Sequence, residues 1–141
     1  MADEIIRFHF DVDGDDFSSA GAASVEVKKR LRQLGFAPDV IRRVAIAMYE
    51  GEINMVIHAD GGVVDVEVGD DDITMILSDR GPGIENVELA MQEGYSTARD
   101  NIRSLGFGAG MGLPNMKKYT DDMKIETEIG VGTTVIMKVN V

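Results

Sequence analysis

Val63-Val64-Asp65-Val66-Glu67-Val68-Gly69-Asp70-Asp71-Asp72-Ile73-Thr74-Met75-Ile76-Leu77-Ser78-Asp79-Arg80-Gly81-Pro82-Gly83 decides how the rest of the chain is read. Two runs rich in β-branched residues, Val63 to Val68 and Ile73 to Leu77, flank the short acidic turn Gly69 to Asp72, which predicts a hairpin. The second strand ends on an acid followed by two glycines. Such a strand end lets backbone approach a flat ligand closely and offers a carboxylate to an adenine amino group, although a plain polar turn uses the same residues.

Upstream, Ile6, Phe8, Phe10 and Val12 alternate with Arg7, His9 and Asp11, the period of a half-buried strand, and Asp13-Gly14-Asp15 forms a turn. Val25, Val27, Leu31 and Leu34 then recur at near-helical spacing, predicting a helix from about Phe17 to Leu34 that stops at Gly35. Pro38-Asp39 opens a longer helix through Val40, Ile41, Val44, Ala47, Met48 and Ile57, ending at Asp60-Gly61-Gly62. Downstream, a short helix is expected over Val87 to Gln92, then a glycine-rich region from Gly94 to Gly112, a short helix near Pro114 to Tyr119, and strands Lys124 to Glu128 and Thr133 to Val139 around Gly130-Val131-Gly132. This order predicts an α+β fold: a two-layer sandwich of a mixed, mostly antiparallel sheet with helices on one face. The length of 141 residues suits a single domain over residues 1–141.

Composition narrows the function. Cysteine is absent, which excludes disulfides, thiolate chemistry and Cys-based zinc sites. A formal net charge of -11 opposes nucleic-acid binding, which draws its affinity from clustered Lys and Arg on phosphates. No apolar run of membrane-spanning length occurs, and the start Met1-Ala2-Asp3-Glu4 lacks the basic region of a secretory signal, so a cytoplasmic protein is expected. ATP remains compatible with this acidity, because backbone N–H groups, a helix N-terminus and a divalent cation can hold phosphates locally.

Three groups of residues can carry chemistry. Glu50 and Asn54, four apart on the long helix, share one face. A carboxylate there can orient a nucleophile while the amide oxygen coordinates a hard cation such as Mg²⁺, though both residue types are common on solvated helix surfaces. Asp79, Gly81 and Gly83 form the strand-end group. Gly106, Gly108, Gly110 and Gly112 alternate before Leu113-Pro114 at a helix start, leaving backbone N–H groups free to turn toward phosphate; a flexible linker is the plain alternative. Neither a P-loop ending nor a Gly-x-Gly-x-x-Gly spacing is present. Asp11 to Asp16 imitates the start of a calcium loop, but the sixth and twelfth positions are Asp16 and Ala22 rather than the required glycine and acid. His9, in a strand, and His58, near a helix end, read as structural.

These three groups in this order, with Gly132-Thr133-Thr134 before the last strand, resemble the GHKL (Bergerat) ATP-binding fold. The family's Glu-x-x-x-Asn is matched by Glu50 and Asn54, its Asp-x-Gly-x-Gly by Asp79, Gly81 and Gly83, its glycine-rich lid by Gly106, Gly108, Gly110 and Gly112, and its final Gly-Thr by Gly132 and Thr133. Gly-Pro-Gly-Ile, the stretch Ala90 to Thr97 and Gly112-Leu113-Pro114 are similar to the stand-alone switch kinases and anti-sigma regulators of bacterial partner-switching modules.

The resemblance implies an ATP- and Mg²⁺-dependent serine/threonine kinase acting on a small STAS-domain antagonist protein. It places Asp79 on adenine with Thr133 in support, Gly81, Gly83, the lid glycines and Leu113 on the nucleotide, Asn54 on Mg²⁺, and Glu50 on the acceptor hydroxyl. Arg99 and Arg103, in a lid stretch longer than that of short-lid members, are candidates for the γ-phosphate. Two alternatives use the same residues: a nucleotide-dependent module that sequesters a sigma factor or a PP2C-type phosphatase with little or no kinase activity, and an ATPase that uses water as nucleophile. One feature departs from a regular helix. Gly51 sits inside the Glu-x-x-x-Asn motif, where glycine costs ~1 kcal/mol relative to alanine.

Overall fold

The computed structural model describes residues 5–13, 21–58, 61–81, 83, 84, 91 and 112–141. In chain order the elements are β1 (Ile6–Asp13), α1 (Ala22–Gln33), α2 (Pro38–His58), β2 (Gly61–Val68), β3 (Asp72–Asp79), α3 (Gly112–Lys118), β4 (Asp122–Glu128) and β5 (Gly132–Asn140). α1 starts at Ala22 rather than near Phe17, because Gly21, in the left-handed region at φ 95°, is its N-cap. Phe17 itself, the helix expected over Val87 to Gln92, apart from Met91 in a turn, and most of the glycine-rich stretch fall outside the described residues.

The five strands form one sheet in the order β1-β2-β3-β5-β4, and all four pairings are antiparallel. Topology explains why. Two helices separate β1 from β2, so the chain returns running the opposite way, while β2–β3 and β4–β5 are hairpins. β3 and β4 run parallel to each other, but β5 lies between them, so no parallel ladder forms.

One face of the sheet is buried. Phe8, Val64, Val66, Val68, Ile73, Met75, Leu77, Val135, Met137 and Val139 alternate with exposed or half-buried neighbours, as the period of two requires. They pack against Val27 and Leu31 of α1, Val44, Ala47, Met48 and Met55 of α2, and Leu113 and Met116 of α3. Each fully buried side chain of this kind contributes about 1.5–3 kcal/mol. The opposite face carries polar pairs such as Arg7–Glu67 and His9–Asp65.

Helix ends follow local rules. Gly35, at φ 85°, ends α1, and the Phe36 N–H closes on the Leu31 carbonyl as in a Schellman end. Pro38 opens α2 where its missing N–H costs nothing, and Asp39 in the first turn accepts from Arg43. Gly51 has a packing reason: a Cβ there would overlap the Leu77 side chain, so the glycine lets α2 lie close on β3. That close approach brings the helix carrying Glu50 and Asn54 down onto the strand carrying Asp79.

Candidate functional site

At the end of β3, Asp79 Oδ1 accepts from the N–H of Gly81 at 2.9 Å and from the N–H of Thr133 at 3.0 Å. The first bond turns the chain after the strand and the second ties it to the start of β5. Both fall on the same oxygen, which leaves Oδ2 with no hydrogen bond among the described residues, and it is not buried. Thr133 is buried, and its hydroxyl lies 2.9 Å from that of Thr127 on β4. Thr127 Oγ1 in turn accepts from the N–H of Ile84 at 2.9 Å. Gly132, at φ 148°, lies so close to the Asp79 carbonyl that a Cβ would overlap it. Gly83, at φ 85°, lies against the backbone of Glu128 and Ile129. Asp79, Gly81, Gly83 and Thr133 are therefore brought together at one end of the sheet.

The second group lies on α2. Glu50 and Asn54 are both half-buried on the same face. Glu50 Oε1 accepts from Asn115 Nδ2 of α3 at 3.4 Å, the long end of hydrogen bonding. Burial raises the Glu50 carboxyl above the usual glutamate range, and the Asn115 bond opposes that shift. The Asn54 amide has no hydrogen-bond partner among the described residues. Glu50 also faces an open groove of about 300 Å³ between α1 and α2, lined by Ser24, Val25, Lys28, Ile46 and Tyr49.

The residues fit a cation that arrives with its ligand. No group of three or more His, Cys, Asp or Glu among the described residues could hold a metal by itself. One amide oxygen suits Mg²⁺, which keeps most of its shell as water and phosphate oxygens and takes few protein ligands.

Gly112 begins α3, and Leu113 is buried, its side chain committed to the core, so only its backbone is left for a nucleotide. Gly106, Gly108, Gly110, Arg99 and Arg103 lie outside the described residues. His9 lies on the exposed sheet face, 2.6 Å from Asp65, whose hydrogen bond raises its pKa, which agrees with a structural role.

Three polar residues of this region escaped the sequence reading: Asn115 beside Glu50, Thr127 beneath Thr133, and Glu52, buried between α1 and α2. Two of them left a signal. Thr127 continues the inward phase of Met123 and Ile125, and Glu52 falls in the buried stripe of Met48 and Met55, so each is a polar residue on an apolar period.

Residues 16–139 match the sequence model of the histidine kinase-like ATPase domain. The chain belongs to that family. It is 36% identical over 121 residues to the anti-sigma F factor of Clostridium acetobutylicum, covering 82% of this chain and 81% of that one. The anti-sigma F factor of Clostridium beijerinckii is 34% identical over 122 residues, covering 82% of each. The serine/threonine-protein kinase RsbT of Bacillus subtilis is 29% identical over 108 residues, covering 74% of this chain and 75% of that protein. The crystal structure of the RsbU and RsbW domains of Rv1364c from Mycobacterium tuberculosis superposes with a TM-score of 0.66 at 18% identity, over 95% of this chain and 32% of that one. That likeness carries the fold, and the chain spans about a third of that longer protein. Within the family the chain sits on the GHKL anti-sigma regulatory branch. Among the described residues no helix is long and apolar enough to cross a membrane.

Proposed function

We propose that this family member is an ATP-dependent serine/threonine protein kinase of a partner-switching pathway, whose acceptor is a small STAS-domain antagonist protein. One observation carries the reading. Glu50, a half-buried carboxylate whose pKa burial raises, opens on a groove one helical turn from the amide of Asn54, which has no hydrogen-bond partner among the described residues. Asp79 Oδ2 would receive the adenine amino group of ATP, with Thr133 in support, and Asn54 and the lid glycines would take its phosphates. Asn54 would hold Mg²⁺, which when bound would supply neutralisation of the phosphate charge. Glu50 accepts the proton of the acceptor hydroxyl as that oxygen bonds the γ-phosphorus; the bond to the bridging oxygen breaks and ADP leaves. The protein's share is positioning and charge neutralisation.

The relatives named anti-sigma F factors favour a second reading, in which the chain sequesters a sigma factor or a PP2C-type phosphatase and transfers little or no phosphate. Incubation with labelled ATP, Mg²⁺ and purified STAS-domain proteins separates the two. Label on a serine or threonine of the acceptor supports the kinase; tight partner binding without label supports sequestration.

A further inference from the structure

Glu52 is a buried acid that the proposed chemistry does not use. It is 1% exposed, yet among the described residues it has no cation partner and instead receives three backbone donors from the start of α1. The N–H groups of Gly21 and Ala23 donate to Oε2 at 3.1 and 3.2 Å, and that of Ser24 donates to Oε1 at 2.6 Å. These are orphan donors of a helix N-terminus. The N-cap of α1 is Gly21, with no side chain to serve them, and its first turn holds no acid. Ser24 Oγ donates to the Gly21 carbonyl at 2.8 Å and closes the turn. Beside it, Gly21 leaves no room for a Cβ against the Tyr49 ring. Ser24 and Val25 from this turn form one wall of the groove that Tyr49 and Glu50 face. A buried carboxylate is a poor choice for simple helix packing, where an apolar pair suffices; a fully satisfied one specifies a single geometry.

We infer that Glu52 is a positioning residue: by capping α1 from α2 it fixes the groove wall opposite Glu50, and so serves acceptor binding rather than nucleotide binding. The second half of that statement rests on the kinase reading. Among the described residues none of Glu52's partners belongs to the Asp79, Thr133 and Thr127 cluster, which separates it from the adenine end.

The test uses the full chain and the variants Glu52→Gln and Gly21→Ala, which disturb the same junction from its two sides. Hydrogen exchange, without nucleotide or partner, is expected to quicken about tenfold or more at Gly21, Ala23 and Ser24 in Glu52→Gln, while the β-sheet amides stay unchanged. Calorimetry should show ATP affinity within about twofold of wild type. With a purified STAS-domain protein as acceptor, KM for the acceptor should rise about tenfold at nearly constant kcat in both variants. Unchanged exchange in Glu52→Gln overturns the cap. Faster exchange with an unchanged acceptor KM, or with ATP affinity lost in parallel, overturns the acceptor-side role. If Glu52→Gln does not fold, Gly21→Ala decides by the same KM and affinity pattern. A wild-type chain that labels no acceptor defeats the kinase reading and with it the acceptor-side role, and exchange still decides the cap.

Discussion

The two ends of the candidate site are built to opposite specifications. Around Asp79 and Thr133, bonds of 2.9–3.0 Å join β3, β4, β5 and the segment reaching Ile84. Around Glu50 and Asn54, one carboxylate holds a single 3.4 Å bond and one amide holds none among the described residues. The first end is pre-formed, which suits recognition of a rigid flat group. The second leaves Glu50 with one long bond and Asn54 with none among the described residues, which suits groups whose partners arrive with the reaction. Substitutions at the second end should therefore act on phosphotransfer and its metal dependence, and those at the first on nucleotide affinity.

The largest effect is expected from Asn54→Ala, which should reduce phosphotransfer to background and remove the tightening of ATP by Mg²⁺, because phosphate charge is left uncompensated. Titration calorimetry with and without Mg²⁺ reads this directly; retained Mg²⁺ dependence would mean that the metal ligand lies elsewhere. Next comes Glu50→Gln, expected to lower phosphotransfer ~10²–10⁴-fold while ATP affinity stays near wild type. A wild-type single-turnover rate would refute its role as proton acceptor.

The contrast between the ends also explains what the sequence disclosed. Every described strand was legible, because Val64, Val66, Val68 and Ile73, Met75, Leu77 keep the period of a sheet buried on one face. The positions of Glu50, Asn54, Asp79 and Thr133 were legible because they occupy fixed places on predicted elements. Their bonding was not. That Asp79 spends one oxygen on the backbone of β5, or that Thr127 lies beneath Thr133 and takes the Ile84 N–H, depends on the order β3-β5-β4, which brings residues 54 and 43 positions apart into hydrogen-bonding contact. Gly51 looked like a cost within the helix, since its benefit lies in Leu77, on another element. The all-antiparallel sheet was partly hidden for the same reason: strand direction follows from β5 inserting between β3 and β4.

At the pre-formed end, Asp79→Asn should weaken ATP binding by about 1.5–3 kcal/mol with phosphotransfer at saturating ATP largely kept. The oxygen bonded to Gly81 and Thr133 can remain a carbonyl, so the change falls on Oδ2, where a donor would face the ligand's amino group. Unchanged affinity for ATP would remove Asp79 from adenine recognition. Thr127→Val should act more weakly, costing about 1–3 kcal/mol of stability by stranding the Ile84 N–H, with ATP affinity following only as the Asp79 turn loosens. Chemical denaturation checks the first part; a stability equal to wild type would show that water replaces the hydroxyl.

The smallest expected effect concerns pH and belongs to the unsatisfied end. Glu50 has its folded-state pKa raised above the ordinary value, first by burial, against the pull of the Asn115 bond. As a proton acceptor it must be ionised, so the acid limb of kcat/KM should lie at higher pH than for an ordinary glutamate, and activity should fall as pH drops through it. Asn115→Ala removes the group that favours the charged form, so it should move the limb further up, and Glu50→Gln should abolish the limb together with most of the rate. The sign for stability is the reverse of a salt-bridged acid. A raised folded-state pKa contributes stability that is full below the unfolded-state pKa and is lost as pH rises through the folded one. Glu50→Gln is therefore expected to melt no lower than wild type at neutral pH, and to lose less stability between acid and neutral pH. Thermal melts across that window decide it: a Glu50→Gln protein less stable than wild type at neutral pH would show that the ionised carboxylate is held by favourable contacts, and the distinction between a satisfied and an unsatisfied end would fail at the residue on which it most depends.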